Sequence, residues 1–315
     1  MSLLLAGRFE PVEREAWCTE LRRALPDETL TVWQPGLPAG LRVAVDVAVV
    51  ANPPPGSLQG LPKLRLVQSL WAGVERLLAD PELPAAVPLA RMVDPAMSEA
   101  MAETALWAVL SLHRCWFERL DAQPRGQWAP HSPQRRADEV VIGVLGLGEL
   151  GRTVALRLQA NGYRVLAWSR RAKVLEGVET LHGDTGCDAL LAQAEIVINL
   201  LPLTPLTRDF FCARTFARMR PGASLVNLAR GAHVVDEDLL AALDRGVLHR
   251  AVLDVFRTEP LPPGHPFWRH PRVTVLPHVA AQTDPRTAAA VVADNVHALR
   301  AGRPLRHLVD RGAGY

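Results

Sequence analysis

The segment Val140-Val141-Ile142-Gly143-Val144-Leu145-Gly146-Leu147-Gly148-Glu149-Leu150-Gly151 decides how this chain folds. Its first six residues are almost wholly β-branched or aliphatic, as expected of a strand buried on both faces. Gly146, Gly148 and Gly151 then form a GxGxxG turn that opens a helical stretch, Leu150–Ala160. Such glycines permit a tight turn, close backbone approach to a pyrophosphate, and close packing of helix on sheet. The helix N-terminus adds free N–H groups and partial positive charge that suit phosphates. Glycine-rich turns also occur for structural reasons alone. The strand–turn–helix setting favours dinucleotide binding at Gly146, Gly148, Glu149, Leu150 and Gly151.

Further apolar segments follow at Arg164–Trp168, Ile196–Leu200, Ser224–Leu228, Ala251–Val255 and Val273–Leu276. Helix-compatible stretches separate them; Asp236–Leu243 begins with the acidic residues that suit a helix N-terminus. Strands alternating with helices predict a doubly wound parallel sheet across residues 100–283. Residues 1–99 repeat the α/β pattern more weakly, with strands expected at Leu3–Ala6, Thr29–Trp33, Val43–Val50 and Leu64–Ser69. The expected class is α/β, with two doubly wound parallel-sheet domains. Glu99–Leu120 contains neither Gly nor Pro and predicts one long helix between the domains. Arg286–Arg300 predicts a final helix that returns to the first domain, which would then comprise 1–99 and 284–315. Residues 121–139, polar and Pro/Arg-rich around Trp128, predict an arm or loop.

A length of 315 residues agrees with two domains. The 35 Lys+Arg nearly balance 33 Asp+Glu, and only Lys63 and Lys173 are lysines. That balance argues against a nucleic-acid binder or a polybasic membrane binder. No apolar run approaches the roughly 20 residues of a membrane span. The N-terminal run Leu3–Ala6 is too short for a secretory signal. Four scattered cysteines (Cys18, Cys115, Cys187, Cys212) show no zinc spacing and suit reduced thiols, so a cytoplasmic protein is expected. His265 and His270 flank Pro266-Phe267-Trp268 without forming a ligand motif, and no metal is expected.

The second strand of the cofactor domain bears on which dinucleotide binds. An NAD site usually places Asp or Glu about 20 residues beyond the glycines, on the ribose 2′-hydroxyl. Here the strand ends in Ser169-Arg170-Arg171, with no acid. A small hydroxyl and two guanidiniums suit a 2′-phosphate, which predicts NADP(H). In an Arg-rich chain the same pair also fits a merely solvated surface.

Arg230, Glu259 and His278 each fall just beyond a predicted strand, at the carboxyl edge where open α/β sheets bind ligands. Any one of them alone fits a solvated loop. Together with a hydride cofactor they form a set that reduces a 2-oxo acid. His protonates the carbonyl oxygen near neutral pH. A neighbouring carboxylate raises the His pKa, and a guanidinium binds the substrate carboxylate and the developing charge.

With these residues in place, the sequence resembles the D-isomer-specific 2-hydroxyacid dehydrogenases over nearly its whole length. It is nearest to their glyoxylate/hydroxypyruvate reductase A branch. The resemblance is carried by Trp168-Ser169-Arg170, Ile198-Asn199-Leu200-Leu201-Pro202, Asn227-Leu228-Ala229-Arg230-Gly231, Asp238–Asp244 and Trp268–Val273. It implies a Rossmann-type cofactor domain with a smaller flavodoxin-like substrate domain. It also implies Arg230 as substrate anchor, Glu259 as partner of the base, and His278 as general acid/base. By the same resemblance, Trp71, Ala72, Gly73 and Val74 grip the substrate carboxylate. Asp254 faces the nicotinamide carboxamide, and Leu200 and Pro202 wall the adenosine side. Arg91, Trp33 and Trp268 become candidate pocket residues. A homodimer through the cofactor domain is implied, with Trp107, Trp116 and Trp128 as contact candidates. The expected activity is NADPH-preferring reduction of glyoxylate to glycolate and of hydroxypyruvate to D-glycerate. Two alternatives stand beside it: a dehydrogenase of bulkier 2-oxo acids, and a dinucleotide-sensing binding protein or corepressor.

Overall fold

The computed structural model describes residues 2–128 and 135–315. The chain forms two compact units, Met1–Met97 with Thr283–Tyr315, and Ser98–Gln282. In the first unit, strands β1 (Ser2–Gly7), β2 (Thr29–Val32), β3 (Val45–Ala51), β4 (Leu66–Ser69) and β5 (Leu89–Ala90) make a parallel sheet in the order β2-β1-β3-β4-β5. Its helices are α1 (Pro11–Ala24), α2 (Ala39–Arg42) and α3 (Glu75–Leu78).

The period of two along β1 divides the core. Leu3 and Leu5 point to one face with Trp17, Leu21 and Val47. Leu4 and Ala6 point to the other with Val45, Val67 and Leu77. A strand buried on both sides needs no polar residue, and β1 and β3 carry almost none. The last helix of the chain, α10, completes this unit and is introduced with its neighbours below.

The second unit holds seven parallel strands: β6 (Val141–Leu145), β7 (Arg164–Ser169), β8 (Glu179–His182), β9 (Ile196–Asn199), β10 (Ala223–Asn227), β11 (Leu248–Leu253) and β12 (Val273–Val275). Their order is β12-β11-β10-β9-β6-β7-β8, doubly wound from β6 outward. In chain order the remaining helices are α4 (Pro95–His113), α5 (Trp116–Ala122), α6 (Glu149–Ala160), α7 (Gly183–Gln193), α8 (Ala213–Phe216), α9 (Asp236–Asp244) and α10 (Pro285–Arg300). Ile142, Val144, Ile198 and Val226 pack on one face with α4 and α6. Leu145, Val197 and Leu225 pack on the other with α7 and α9. α10 lies against α1 and buries Ala288, Ala289, Val292 and Val296 in the core of the first unit.

The single helix expected over Glu99–Leu120 is corrected: it is broken between α4 and α5. Cys115 adopts a left-handed conformation (φ 52°), which ends one helix and starts the next at an angle. No Gly or Pro announces the break. What favours it is packing: Phe117 turns its ring edge-on to Trp107, 5.8 Å between centroids, and under the Arg250 guanidinium. The expected arm, 121–139, begins inside α5 and includes a short 3₁₀ turn at Ala137–Glu139; its residues 129–134 lie outside the described part. The edge strands β5 and β8 also escaped the sequence reading. No described helix is long and apolar enough to cross a membrane.

Candidate active site

The glycine turn joins β6 to α6, and its geometry explains each glycine. Gly146 has φ +104°, and a Cβ there would lie 2.5 Å from the Leu200 carbonyl oxygen. A Cβ on Gly151 would lie 1.8 Å from the Gly146 carbonyl oxygen, so that helix turn closes only over glycine. Gly148 differs: nothing stands within 4 Å of the place its Cβ would take. It is also the N-cap of α6, which no side chain caps. An open backbone at an uncapped helix N-terminus fits a pyrophosphate. Glu149 is exposed on the first turn, Leu150 is half-buried, and the Leu200 carbonyl lies against Gly146, while the Pro202 carbonyl accepts from the Thr207 hydroxyl.

The residues after β7 divide by role. Ser169 is buried, and its hydroxyl donates to the Arg171 carbonyl at 2.7 Å, so its proton closes its own loop. Arg170 and Arg171 are exposed. Lys173 donates from Nζ to the Leu147 carbonyl at 2.6 Å, tying this loop to the glycine turn. The sequence reading noted Lys173 only as one of two lysines. Its rarity among so many arginines was the available signal.

His278 and Glu259 come together from two loops beyond β12 and β11. His278 Nδ1 lies 2.7 Å from Glu259 Oε2, while Oε1 accepts the N–H of Phe256 at 2.9 Å. Hydrogen bonding to Glu259 raises the His278 pKa, against burial and the positive charge of Arg230. For Glu259 burial pushes upward, but His278, the Phe256 N–H and Arg230 outweigh it and hold the carboxyl below its ordinary value. Arg230 therefore shares the electrostatic environment of both.

Asp254 builds the turn that carries this histidine. Its oxygens accept the N–H groups of Val279 (2.8 Å) and Ala280 (3.0 Å), and its carbonyl accepts that of His278 (2.9 Å). The turn holds His278 at φ +56°, a conformation uncommon for a residue with a Cβ. Burial raises the Asp254 pKa despite those two N–H bonds. Holding the turn is the role its contacts support.

Arg230 is seated by a buried polar network that sequence reasoning missed. Asn227 donates from Nδ2 to the Arg230 carbonyl (3.0 Å) and accepts at Oδ1 from Ala229 N–H (3.2 Å) and Asn199 (2.9 Å). Asn199 also meets the fully buried His233 Nδ1 at 2.9 Å, and His233 Nε2 faces the Pro202 carbonyl at 3.3 Å. Donation by Asn199 Nδ2 requires Nδ1 to be bare, which puts the His233 proton on Nε2. Behind Arg230, a Cβ on Gly231 would lie 1.9 Å from the Phe256 carbonyl carbon, so the two loops touch backbone to backbone. Only knowledge of which strands are neighbours would have connected residues 199, 227 and 233.

In the first unit the loop after β4 places Trp71, Ala72, Gly73 and Val74. Trp71 N–H is committed to the Ser69 hydroxyl at 3.0 Å, and the Trp71 carbonyl accepts from that hydroxyl and from Met92 N–H. The N–H groups of Ala72, Gly73 and Val74 have no hydrogen-bond partner among the described residues. Arg91 and Trp33 are half-buried in this unit. Trp268, in the second unit, is half-exposed and donates its indole N–H to the Pro262 carbonyl.

Comparison with known proteins agrees with this architecture. Residues 106–280 match the profile of the D-isomer specific 2-hydroxyacid dehydrogenase NAD binding domain. A glyoxylate/hydroxypyruvate reductase A of Serratia proteamaculans is 44% identical over 308 residues, 96% of each chain. Its namesake from Yersinia enterocolitica is 39% identical, over 96% of this chain and 97% of its own. Among solved structures, a D-isomer specific 2-hydroxyacid dehydrogenase of Xanthobacter autotrophicus in complex with NADPH and MES superposes with a TM-score of 0.93. It shows 39% identity, covering 100% of this chain and 99% of its own. An NADPH-dependent glyoxylate/hydroxypyruvate reductase of Sinorhizobium meliloti, in complex with NADP and sulfate, gives 0.91 at 36% identity over 100% and 99% of the two chains. With its glycine turn, its parallel sheets and this match along both units, the chain belongs to the D-isomer specific 2-hydroxyacid dehydrogenase family.

Proposed function

We propose that this protein is an NADPH-dependent reductase of small 2-oxo acids, converting glyoxylate to glycolate and hydroxypyruvate to D-glycerate. The observation that carries the proposal is the His278–Glu259 pair at 2.7 Å, with Arg230 acting on both. It stands at the carboxyl edge of the sheet that also bears the glycine turn. The reductase names of the relatives, and the NADPH and NADP bound by the solved structures, support the substrate class and the cofactor.

The nicotinamide, when bound, supplies the hydride. His278 holds the proton for the carbonyl oxygen: with Nδ1 facing Glu259, Nε2 is the nitrogen left to donate. Hydrogen bonding to Glu259 raises its pKa and so favours the charged, proton-donating form. Arg230 offers its guanidinium to the substrate carboxylate and to charge developing on the carbonyl. In the first unit, Ala72, Gly73 and Val74 present unpaired N–H groups suited to a carboxylate, and Trp71 presents only its side chain. Arg170 and Arg171 hold the 2′-phosphate, with Lys173 a third cation beside the glycine turn. Ser169 shapes their loop.

The assembly we propose is a homodimer formed through the second unit, where Trp116, Leu120 and Trp128 are exposed at 44%, 61% and 93%. Four free thiols suit a reducing cytoplasm.

The test follows absorbance at 340 nm with glyoxylate or hydroxypyruvate, using NADPH and NADH separately. Fast oxidation of NADPH and slow oxidation of NADH are expected, and Arg170→Ala should narrow the difference. Equal losses with both cofactors would refute the 2′-phosphate contact. A melting temperature raised by NADPH without any turnover would overturn the reductase in favour of a dinucleotide sensor.

A further inference from the structure

In the second unit, β9 and β10 end side by side. Asn199 and Asn227, the last residue of each, are register partners, and both are fully buried. One more backbone bond, from Leu228 N–H to the Asn199 carbonyl at 3.3 Å, closes the ladder. Beyond it the two chains part. One runs through Leu200, whose carbonyl lies against Gly146, to Pro202; the other runs to Arg230.

The two asparagines are folded alike. Asn199 Oδ1 accepts Leu201 N–H and Asn227 Oδ1 accepts Ala229 N–H, each at 3.2 Å, so each side chain turns back onto its own backbone two residues on. The arginine takes its direction from the second of these turns: Arg230 Nη1 donates to the Ala229 carbonyl at 2.7 Å. The Arg230 carbonyl is held twice, by Asn227 Nδ2 at 3.0 Å and by the N–H of His233 at 3.2 Å.

His233 ends the 3₁₀ turn Gly231–His233 on the β10 side, and both partners of its ring lie on the β9 side. Nδ1 accepts from Asn199 at 2.9 Å. Nε2, which carries the proton, faces the Pro202 carbonyl at 3.3 Å, and that carbonyl also accepts the Thr207 hydroxyl at 2.7 Å. An apolar side chain would fill this buried space without the desolvation that an imidazole incurs. What the imidazole adds is a polar tie between the two chains at the level where their backbone ladder has ended.

We propose that His233 is a positioning residue whose two ring nitrogens brace the Ala229–Arg230 peptide against the Leu200–Pro202 segment, and so fix the direction of the Arg230 guanidinium. This inference rests on the reductase reading and deepens it. Arg230 would touch the substrate; His233 acts only through Arg230.

The experiment measures glyoxylate reduction under saturating NADPH, its pH profile, and thermal melting for the wild type, His233→Leu and His233→Gln. His233→Leu should raise the glyoxylate KM about tenfold while kcat stays within about threefold. The KM for NADPH should stay within about threefold, since the glycine turn and the Thr207 bond to Pro202 remain. Gln carries an acceptor and a donor on one planar group, as the ring does, and should recover most of the loss. The pH profile adds a sign. His278 faces Glu259, Arg230 and Asp254, and of these charged groups only Arg230 opposes its proton. A guanidinium that has swung away opposes it less, so the fall of kcat/KM at high pH should come at a higher pH in His233→Leu. If His233→Leu does not fold, His233→Met, with its more pliant chain, takes its place. A variant that melts lower yet keeps the wild-type KM and pH profile would overturn the proposal and leave His233 a core residue; so would a Gln variant no better than Leu. If the wild type reduces no 2-oxo acid, it is the reductase reading that fails, and the brace is read by binding. With NADPH present, oxalate should raise the melting temperature of the wild type and raise it less in His233→Leu; equal rises, or none in either protein, would overturn the brace as well.

Discussion

His278, the proton donor proposed above, illustrates how much of an ionisable group's behaviour comes from its neighbours. Its Nδ1 faces a carboxylate that is itself fixed by the Phe256 N–H, so the imidazole has little freedom to rotate away. His278→Ala should lower kcat by about 10²–10⁴-fold, while NADPH still binds and raises the melting temperature; near-normal turnover would remove His278 from the reaction. The pH dependence follows from the sign of the shift. In the proposed reduction the protonated imidazole is the active form, so the rate should be full below its raised pKa and fall as pH rises through it. Glu259→Gln replaces the carboxylate by a neutral amide that no longer stabilises the imidazolium charge, and the descending limb of kcat/KM should move to lower pH. An unmoved limb would mean that another group titrates. That Arg230, Glu259 and His278 fall at one sheet edge was legible in the sequence, because each follows a strand closely and position alone implies that edge. Ser169 was legible only by type: which way its hydroxyl points depends on the loop, and the loop turns it inward.

At the scale of the element, the β6–α6 junction separates two reasons for glycine. Gly151→Ala would drive a methyl into the Gly146 carbonyl and should destabilise the fold by about 2 kcal/mol or more. Gly148→Ala meets open space, so its melting temperature should match the wild type while NADPH affinity drops. Thermal melts with and without NADPH distinguish the two. A Gly148→Ala variant that binds NADPH normally would place the pyrophosphate elsewhere. The long apolar strands β6, β7, β9 and β10 were readable because burial on both faces leaves an unbroken aliphatic run. β8 was not, since Glu179–His182 is a short edge strand with polar ends. The break at Cys115 was hidden for a different reason: helix propensity favours continuity there, and only the packing of Phe117 against Trp107 and Arg250 opposes it.

For the whole molecule, the exposed indoles of the second unit lead to an expectation about assembly. Light scattering should return twice the monomer mass, and Trp116→Glu with Leu120→Glu should shift it toward the monomer. A wild type that stays monomeric at micromolar concentration would refute the dimer.

The return of the chain's last 33 residues to the first unit, Thr283–Tyr315, has a consequence for synthesis. One side of that unit's sheet is covered partly by Ala288, Val292 and Val296 of α10. As the polypeptide leaves the ribosome, the second unit has all its strands before this cover exists. The strands of residues 2–90 must therefore wait with Leu3, Leu5 and Val47 incompletely sheltered until residues 285–300 have been made. The order of completion is then the reverse of the order of synthesis, and a nascent chain halted near residue 282 should expose that face to chaperones while its middle is already native.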